Sequence, residues 1–228
     1  MSSFWQWNLF RARHDTAPMP DYPFNPHDAL AHLRAADPAL EAVFDAVGPF
    51  SMRYQPLDNV FHALMRSIVY QQLSGRAAAT IFARVEALFS GEPTPKALSR
   101  LQDADLRGAG LSGAKTRALR SLAEHVLDGT VPDASTLRGM ENQEIRERLT
   151  VVRGVGVWTV NMMLMFRLGR PDIMPSGDLG IRKGFARLRG MDDLPPPKHL
   201  EAETQHWSPW RTVACWYLWR LLEVELPD

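Results

Sequence analysis

The segment RGVGVWT, at residues 153–159, combines a glycine turn with the start of an apolar run that has helical character. Glycine has no Cβ, so Gly154 and Gly156 can adopt positive φ and let another backbone come close. A helix that begins near Val157 leaves its first amide N–H groups free to bind an anion, most simply a phosphate. A plain helix–helix corner would have the same pattern, so the turn alone leaves both interpretations open.

A second segment, PSGDLGIRKG, places Asp178 directly before another helix. Aspartate is among the best N-cap residues, and a cap is the simplest role for it. The helix macrodipole also stabilises the charged form of a carboxylate in this position. Beside a turn that grips phosphate, an ionised carboxylate would stabilise a cation forming on a sugar. Asp178 is therefore the candidate catalytic residue.

The elements that must position these residues are helices. After residue 26 the apolar residues recur at helical spacing without strand alternation, which predicts an all-α fold of about ten helices joined by short loops. We divide the chain into an irregular N-terminal extension, 1–26, and a helical domain, 27–228, with a hairpin at about 142–168. Ser74 and Ser112 are predicted N-caps. Ser208 and Pro209 predict the cap and first-turn proline of the last helix.

Composition limits the function classes. Of the 228 residues, 45% are hydrophobic and 23% are charged, as in ordinary globular domains. The 26 basic and 26 acidic residues give a formal net charge of zero, which argues against a uniformly basic nucleic-acid coat but leaves room for a local basic face. We find no signal peptide and no membrane span, and we expect a cytoplasmic protein.

Cysteine and histidine usage excludes several metal sites. Cys215 is the single cysteine, so the chain can form neither an internal disulfide nor a cysteine-ligated iron–sulfur cluster. Its apolar surroundings predict a buried, inert thiol. The seven histidines show no zinc-ligand spacing with cysteine.

Taken together, RGVGVWTVN and PSGDLGIRKG resemble the motifs of helix-hairpin-helix DNA glycosylases, which carry a Gly/Pro-rich loop ending in a catalytic aspartate. The stretches QQLSGRAAATIFAR, GLSGAKTRALRSLAEHV and WSPWRTVACWYLWR extend the resemblance over about residues 55–222. The DNA-3-methyladenine glycosylase II branch is the most similar. The resemblance implies a two-lobed helical HhH-GPD fold with the active-site cleft between the lobes.

The implied activity is that of a monofunctional DNA glycosylase in base excision repair. It would flip N-alkylated purines, chiefly 3-methyladenine and 7-methylguanine, out of duplex DNA and hydrolyse the N-glycosidic bond. Asp178 would stabilise the sugar cation or activate water. Trp158, Met162 and Trp219 match base-pocket positions, and Leu73 matches the wedge that fills the gap in the duplex. The lysine nucleophile of strand-nicking relatives is replaced by Trp158, which cannot form a Schiff base.

Several of these residues also fit simpler roles or depart from the family. Leu73 and both tryptophans fit ordinary core packing, most strongly Trp219 in its apolar helix. Met162 stands where the family often has tyrosine, which implies a wider or softer pocket. Arg153 stands where the family usually has proline, which changes the stiffness of the hairpin or adds a phosphate contact.

The expected partner is double-stranded DNA containing alkylated bases, bound by a monomer, with no membrane partner. Expected DNA contacts lie on the hairpin and on the helix after Asp178: Arg153, Gly154, Val155, Gly156, Arg182 and Lys183. Backbone carbonyls of Val152, Gly154 and Val155 are candidate ligands for a Na⁺ or K⁺ ion, and no other cofactor is expected. Arg76, Lys115 and Arg117 are further basic residues near this footprint, although solvated helix faces explain them equally well.

Two other classes of protein fit parts of the sequence. A non-catalytic helix-hairpin-helix DNA-binding module would explain the hairpin, but not the aspartate or the aromatic last helix. If the chain is a structural all-α protein, the glycine turn is an accidental helix–helix corner without a functional role. Asp172, Asp192 and Asp193 are interpreted as solvated loop carboxylates.

Overall fold

The computed structural model describes residues 22–225. Within that range thirteen α-helices and one 3-10 helix form, and no β-strand, which confirms the all-α prediction. The helices are α1 (Pro26–Ala36), α2 (Leu40–Val47), α3 (Val60–Tyr70), α4 (Gly75–Glu86), α5 (Pro95–Arg100), α6 (Asp103–Gly108), α7 (Gly113–Leu127), α8 (Ala134–Gly139), α9 (Asn142–Thr150), α10 (Val157–Phe166), α11 (Leu179–Leu188), α12 (Pro197–Glu203), the 3-10 helix Gln205–Trp207, and α13 (Arg211–Leu221).

The N-terminal extension was predicted as irregular over residues 1–26. Residues 1–21 of it lie outside the described part of the chain. Residues 22–25 are non-helical, and α1 begins at Pro26 with Asn25 as its N-cap. Tyr22 is buried and its hydroxyl donates to the Met52 carbonyl, so the chain is already docked on the core before the first helix starts.

Short polar side chains begin many of these helices. Each accepts a hydrogen bond from a backbone N–H in the first turn, which satisfies a donor that the helix itself leaves free. The caps are Asn25, Asn59, Ser74, Thr94, Ser112, Asp133 and Asp178. The predicted caps Ser74 and Ser112 are confirmed.

The predicted start of the last helix is wrong. Helix α13 begins at Arg211 with Trp210 at its N-cap position, so Pro209 is not in its first turn. Ser208 does not cap the helix, because its hydroxyl donates to the Asp172 carboxylate at 2.9 Å. Helix α12 was not predicted from the sequence. Pro195 and Pro196 precede it, Pro197 is its first residue, and Leu200 is its single buried residue.

The helices form two lobes. In the first lobe, α7 packs against α3, α5 and α6, and α9 packs against α10. In the second lobe, which joins the two ends of the described chain, α13 packs against α1, α2 and α11. Phe166 at the end of α10 stacks on Trp219 of α13 with ring centroids 5.9 Å apart, so aromatic packing connects the lobes.

Helix α13 is apolar around most of its circumference because it lies at the centre of the second lobe. Its residues from Thr212 to Trp219 are all buried, and Cys215 is fully buried as predicted. Burial raises the pKa of the Cys215 thiol well above its usual value. At the contact with α11, a Cβ added to Gly184 would lie 2.3 Å from the Leu218 carbonyl oxygen, so only glycine allows this close approach.

A buried carboxylate connects the end of α1 to the end of α11 and to the 3-10 helix. Asp37 accepts from both Nη atoms of Arg189, at 3.1 and 2.5 Å, and from Trp207 Nε1 at 2.7 Å. Burial alone would raise the pKa of Asp37, but the hydrogen bonds from Arg189 and Trp207 outweigh burial and lower it. The Asp37 carboxylate in the second lobe is therefore ionised at neutral pH.

Candidate active site

The predicted hairpin consists of α9, a turn and α10. Gly154 has φ +81°, the left-handed region that favours glycine, and Val155 N–H donates to the Val152 carbonyl at 3.0 Å to close the turn. Helix α7 braces the turn from behind. A Cβ added to Gly154 would lie 3.3 Å from the Ala118 Cβ, and Arg153 N–H donates to Ser121 Oγ at 3.0 Å.

A second contact joins the hairpin to the turn between α3 and α4. Gln71 Nε2 donates to the Gly154 carbonyl at 2.8 Å. The Lys115 ammonium donates to the carbonyls of Val69 and Gln71, at 2.7 and 2.8 Å, and burial lowers the pKa of Lys115. Lys115 was one of the basic residues considered for DNA binding, and here its charge stabilises the C-terminal end of α3.

Asp178 is the N-cap of α11, and its carboxylate accepts three hydrogen bonds from N–H groups. Oδ1 accepts from the backbone of Ile181 at 2.9 Å and from Trp219 Nε1 at 3.0 Å, and Oδ2 accepts from Trp158 Nε1 at 2.6 Å. The structure thus brings Asp178 against the first turn of α10 at the hairpin. The residue as a whole is only 3% exposed, yet it lines a cavity.

Gly180 makes the contact between Asp178 and Trp219 possible. A Cβ at Gly180 would lie 2.8 Å from Trp219 Cδ1 and 3.0 Å from Trp219 Nε1, with Asp178 Oδ1 3.1 Å away. A side chain at residue 180 would therefore displace the indole from the carboxylate. In the sequence, Gly180 is simply a glycine two residues after Asp178. The reason for a glycine there is the close approach of Trp219 on α13, which the sequence does not show.

The three expected base-pocket residues have different environments. Trp158 is half-buried and lines the cavity. Trp219 is buried behind Asp178, stacked on Phe166. Met162 is buried in the core and is not among the residues that line the cavity. The structure therefore brings Trp158 and Trp219 together at Asp178, and it does not bring Met162 to the cavity surface.

The cavity beside Asp178 has a volume of about 610 Å³ and lies between the lobes. The hairpin lobe supplies one wall through Gln143, Arg146, Val157, Trp158 and Asn161. The other lobe and the loop before α11 supply Asp172, Met174, Pro175, Ser176, Gly177, Asp178, Glu201, Gln205 and Arg211. A volume of this size fits a small organic ligand such as a nucleobase.

Asp172 was interpreted as a solvated loop carboxylate, and this interpretation is wrong. It forms a two-pronged ion pair with Arg211, Nε to Oδ1 at 2.6 Å and Nη2 to Oδ2 at 2.8 Å. Burial raises the pKa of Asp172, but the hydrogen bonds from Arg211 and Ser208 outweigh it, and the pKa is lowered. The pair fixes the loop before Asp178 to the start of α13, which no spacing in the sequence could reveal.

The expected wedge lies in the turn between α3 and α4. Leu73 is half-buried and packs against the core. Its neighbour Gln72 is exposed and has φ +56°, the only positive φ at a non-glycine residue within 22–225. The turn that carries the two residues is the one that Gln71 ties to the hairpin.

The expected DNA-contacting residues lie on the hairpin and on α11. Arg153, Gly154, Gly156 and Lys183 are exposed, and Val155 is buried. Arg182 is half-buried, and its Nε donates to the Pro195 carbonyl at 2.8 Å, so part of its hydrogen-bonding capacity serves the fold.

The candidate ion ligands already have protein partners in part. The Val152 carbonyl accepts from Val155 N–H, and the Gly154 carbonyl accepts from Gln71. Each carbonyl oxygen has two lone pairs, so these bonds leave room for a cation. Among residues 22–225 no cluster of three His, Cys, Asp or Glu side chains has a metal-binding arrangement. No helix in the same range is both long enough and apolar enough to span a bilayer.

The chain is similar in sequence to known DNA repair proteins. Residues 65–209 match the family model described as HhH-GPD superfamily base excision DNA repair protein. The DNA-3-methyladenine glycosylase 1 of Schizosaccharomyces pombe is 33% identical over 195 residues, which span 84% of this chain and 86% of that protein.

Two solved structures have closely similar folds. The S. pombe 3-methyladenine DNA glycosylase in complex with abasic DNA superposes with a TM-score of 0.75 at 32% identity, covering 85% of this chain and 95% of that one. A DNA-3-methyladenine glycosidase from Bacillus halodurans gives a TM-score of 0.76 at 36% identity, covering 89% and 90%.

Proposed function

Because the chain belongs to the HhH-GPD superfamily of base excision DNA repair proteins, we propose that it is a DNA glycosylase that excises N-alkylated purines from duplex DNA. The observation that carries this proposal is the Asp178 carboxylate. It is held by Trp158 and Trp219 on the wall of a cavity between the lobes, beside the hairpin. The leading substrates are 3-methyladenine and 7-methylguanine, the first of which appears in the names of the similar proteins.

The catalytic role of Asp178 follows from its charge and its position. An N-alkylated purine is cationic and leaves readily, so its departure needs little acid catalysis. As the glycosidic bond breaks, positive charge develops on the sugar, and a preorganised carboxylate stabilises that charge without reorganising. The three N–H donors hold the carboxylate in one orientation, and it acts electrostatically or by orienting the attacking water.

The flipped base would enter the cavity against Trp158. An indole face attracts a cationic ring by about 0.5–2 kcal/mol, depending on how much water is removed. Trp219 contributes mainly by holding Asp178, since it lies behind the carboxylate. Met162 would influence the pocket only from the core behind it.

The turn between α3 and α4 would fill the gap left by the flipped nucleotide. We propose Leu73 as the wedge, with the exposed Gln72 entering the duplex beside it. An inserted side chain replaces part of the stacking that is lost when a base leaves the helix. The Gln71 bond to Gly154 keeps this turn and the hairpin at a fixed separation.

The hairpin would bind the phosphate backbone through Gly154, Gly156 and the amides that begin α10, with Arg153 and Lys183 adding positive charge. A Na⁺ or K⁺ ion bound by carbonyls of the turn would bridge protein and phosphate. We propose a monomer that acts without any other cofactor.

We propose that the enzyme has no lyase activity and belongs to the DNA-3-methyladenine glycosylase II type. A Schiff-base nucleophile needs an amine near the sugar. The position where strand-nicking relatives carry it is occupied by Trp158, which bonds to the catalytic carboxylate.

The proposal is tested by incubating methylated duplex DNA with the wild-type protein and separating the released bases by chromatography. We expect free 3-methyladenine and 7-methylguanine, and an abasic strand that breaks only after alkali. In Asp178→Asn we expect excision at least about 100-fold slower, because a preorganised charge is lost.

The matched control is Asp193→Asn, the same substitution at an exposed position outside the cavity. The affinity of Asp178→Asn for abasic-site DNA should stay close to that of the wild type. A non-catalytic DNA-binding module would release no base from any alkylated duplex even as wild type, and that result would overturn the proposal.

A further inference from the structure

The charges that line the cavity do not balance. Its walls carry three carboxylates, Asp172, Asp178 and Glu201, against two guanidinium groups, Arg146 and Arg211. The cavity therefore carries one negative charge more than positive when all of them are ionised. A cationic ligand gains from this excess, and a neutral ligand of the same shape does not.

All five charged groups form hydrogen bonds within the described part of the chain, and among them only Asp172 and Arg211 form an ion pair with each other. Asp172 and Arg211 neutralise each other, and Asp178 accepts three N–H groups. Arg146 Nε donates to the amide oxygen of the buried Asn161 at 3.0 Å.

Glu201 is the remaining charge. One of its oxygens accepts from Ser176 Oγ at 2.5 Å, and Ser176 is buried on the loop that leads to Asp178. The other oxygen forms no hydrogen bond or ion pair with the part of the chain that the structure describes. Glu201 is exposed and lines the cavity, so its second carboxylate oxygen is open to a ligand as well as to water.

We propose that Glu201 is a specificity-determining residue, which selects cationic purines by charge and accepts a hydrogen bond from their exocyclic amino group. The inference rests on the proposed function, since it requires that the flipped base binds in this cavity next to Glu201. Ser176 positions the carboxylate for this role.

The step at which Glu201 acts follows from the electron count. When the glycosidic bond breaks, its electron pair goes to the base, so the base becomes neutral and the positive charge moves to the sugar. Attraction between Glu201 and the base therefore exists before bond cleavage and is lost after it. Glu201 should strengthen capture of the flipped base, whereas Asp178 should accelerate cleavage.

The experiment compares two duplexes that differ only in the charge of one base. One contains 7-methylguanine, and the other contains its neutral isostere 7-methyl-7-deazaguanine. Dissociation constants are measured with a 2′-fluoro sugar at the tested nucleotide of both duplexes, because this electron-withdrawing group disfavours the sugar cation, slows cleavage and leaves Asp178 in place. We expect this protein to bind the cationic duplex more tightly, and Glu201→Gln to reduce that preference by about two- to fivefold, as for a solvent-exposed ion pair.

The matched control is Glu203→Gln, which removes the same charge from the same helix at an exposed residue outside the cavity lining. It should leave the preference unchanged. Ser176→Ala should lower the preference in the same direction as Glu201→Gln, by a smaller factor. With the ordinary 2′-deoxy substrate, Glu201→Gln should lower kcat/KM for 7-methylguanine and leave the affinity for abasic-site DNA unchanged.

Equal affinities for the two duplexes before the Glu201 substitution would overturn the inference, and so would a preference that Glu201→Gln leaves intact. Neither result would affect base release by the wild-type protein. A wild type that releases no alkylated purine would instead refute the proposed function, so the two failures are distinguishable.

Discussion

At the scale of single residues, the proposed chemistry depends on two indole N–H groups that converge on one carboxylate. Trp158 and Trp219 approach Asp178 from different helices, and Ile181 N–H donates from a third. A carboxylate held this way cannot rotate to follow solvent. Its negative charge is fixed where the sugar cation would form, which is the condition for electrostatic catalysis.

Replacing Trp158 by phenylalanine removes the donor and keeps an aromatic ring. A hydrogen bond to a charged group contributes about 1.5–3 kcal/mol, so we expect Trp158→Phe to excise 7-methylguanine about ten- to hundredfold more slowly in single-turnover assays. Trp210→Phe, outside the cavity, is the matched control. An unchanged rate for Trp158→Phe would show that the bond to Asp178 does not matter for catalysis.

Gly180→Ala tests the close approach of Trp219. The new methyl group would lie 2.8 Å from the indole, so the ring must shift away from Asp178. We expect a loss of unfolding free energy of about 1–3 kcal/mol in denaturant titrations, with slower excision as well. Gly91→Ala, at an exposed non-helical position where a Cβ meets nothing within 4 Å, should change neither quantity. A fully active and stable Gly180→Ala would contradict the assigned contact.

At the scale of elements, the site is held by contacts between helices that are far apart in sequence. Helix α7 supports the hairpin turn through Ala118 and Ser121, and Gln71 connects the same turn to the end of α3. The Asp172–Arg211 pair fixes the loop before α11 to the start of α13. Each of these contacts sets the relative position of two parts of the proposed active site.

The crossing of α11 and α13 allows a direct test of helix packing. In Gly184→Ala the methyl group would lie 2.3 Å from the Leu218 carbonyl oxygen, and backbone cannot move aside as a side chain can. We expect Gly184→Ala to lower the unfolding free energy by about 3 kcal/mol, at the upper end of overpacking costs. Thermal denaturation measures it, and a melting temperature equal to that of the wild type would show that the two helices are not so closely packed.

At the scale of the whole molecule, buried ion pairs make stability depend on pH. The pKa of Asp37 is lowered in the folded protein, so the folded state favours the charged carboxylate more than the unfolded state does. The contribution of Asp37 is complete above its unfolded pKa, about 3.9, and is lost as the pH falls through the lower folded value. Asp172, whose pKa is also lowered, contributes with the same sign.

We therefore expect the unfolding free energy, measured by urea titration, to decrease as the pH is lowered below about 4. Asp37→Asn should lose about 3 kcal/mol at pH 7, because Arg189 is left without its partner, and should show a weaker pH dependence. Asp45→Asn is the control, since Asp45 is exposed and its ion pair with Arg34 is long, at 3.7 Å. If the unfolding free energy of Asp37→Asn decreased with pH as steeply as that of the wild type, Asp37 would be excluded as the source of the pH dependence.

Local signals in the sequence were sufficient to predict most helices and the hairpin. Ser74, Ser112 and Asp178 are caps whose role depends only on neighbouring residues. The predicted start of the last helix was wrong because a residue distant in sequence binds the side chain that was expected to cap it. Ser208 has the chemistry of a cap, but Asp172 accepts its hydroxyl, and α13 starts three residues later.

The sequence by itself determined the all-α class, the glycine turn and the position of Asp178 before a helix, because capping, helical periodicity and glycine conformation act over a few residues. Only the tertiary structure decided that both indoles reach Asp178, that Met162 stays in the core, and that Asp172 and Glu201 line the cavity. Those outcomes depend on how the two lobes pack. Such packing places residues about forty positions apart in contact, a distance at which local pattern carries no information.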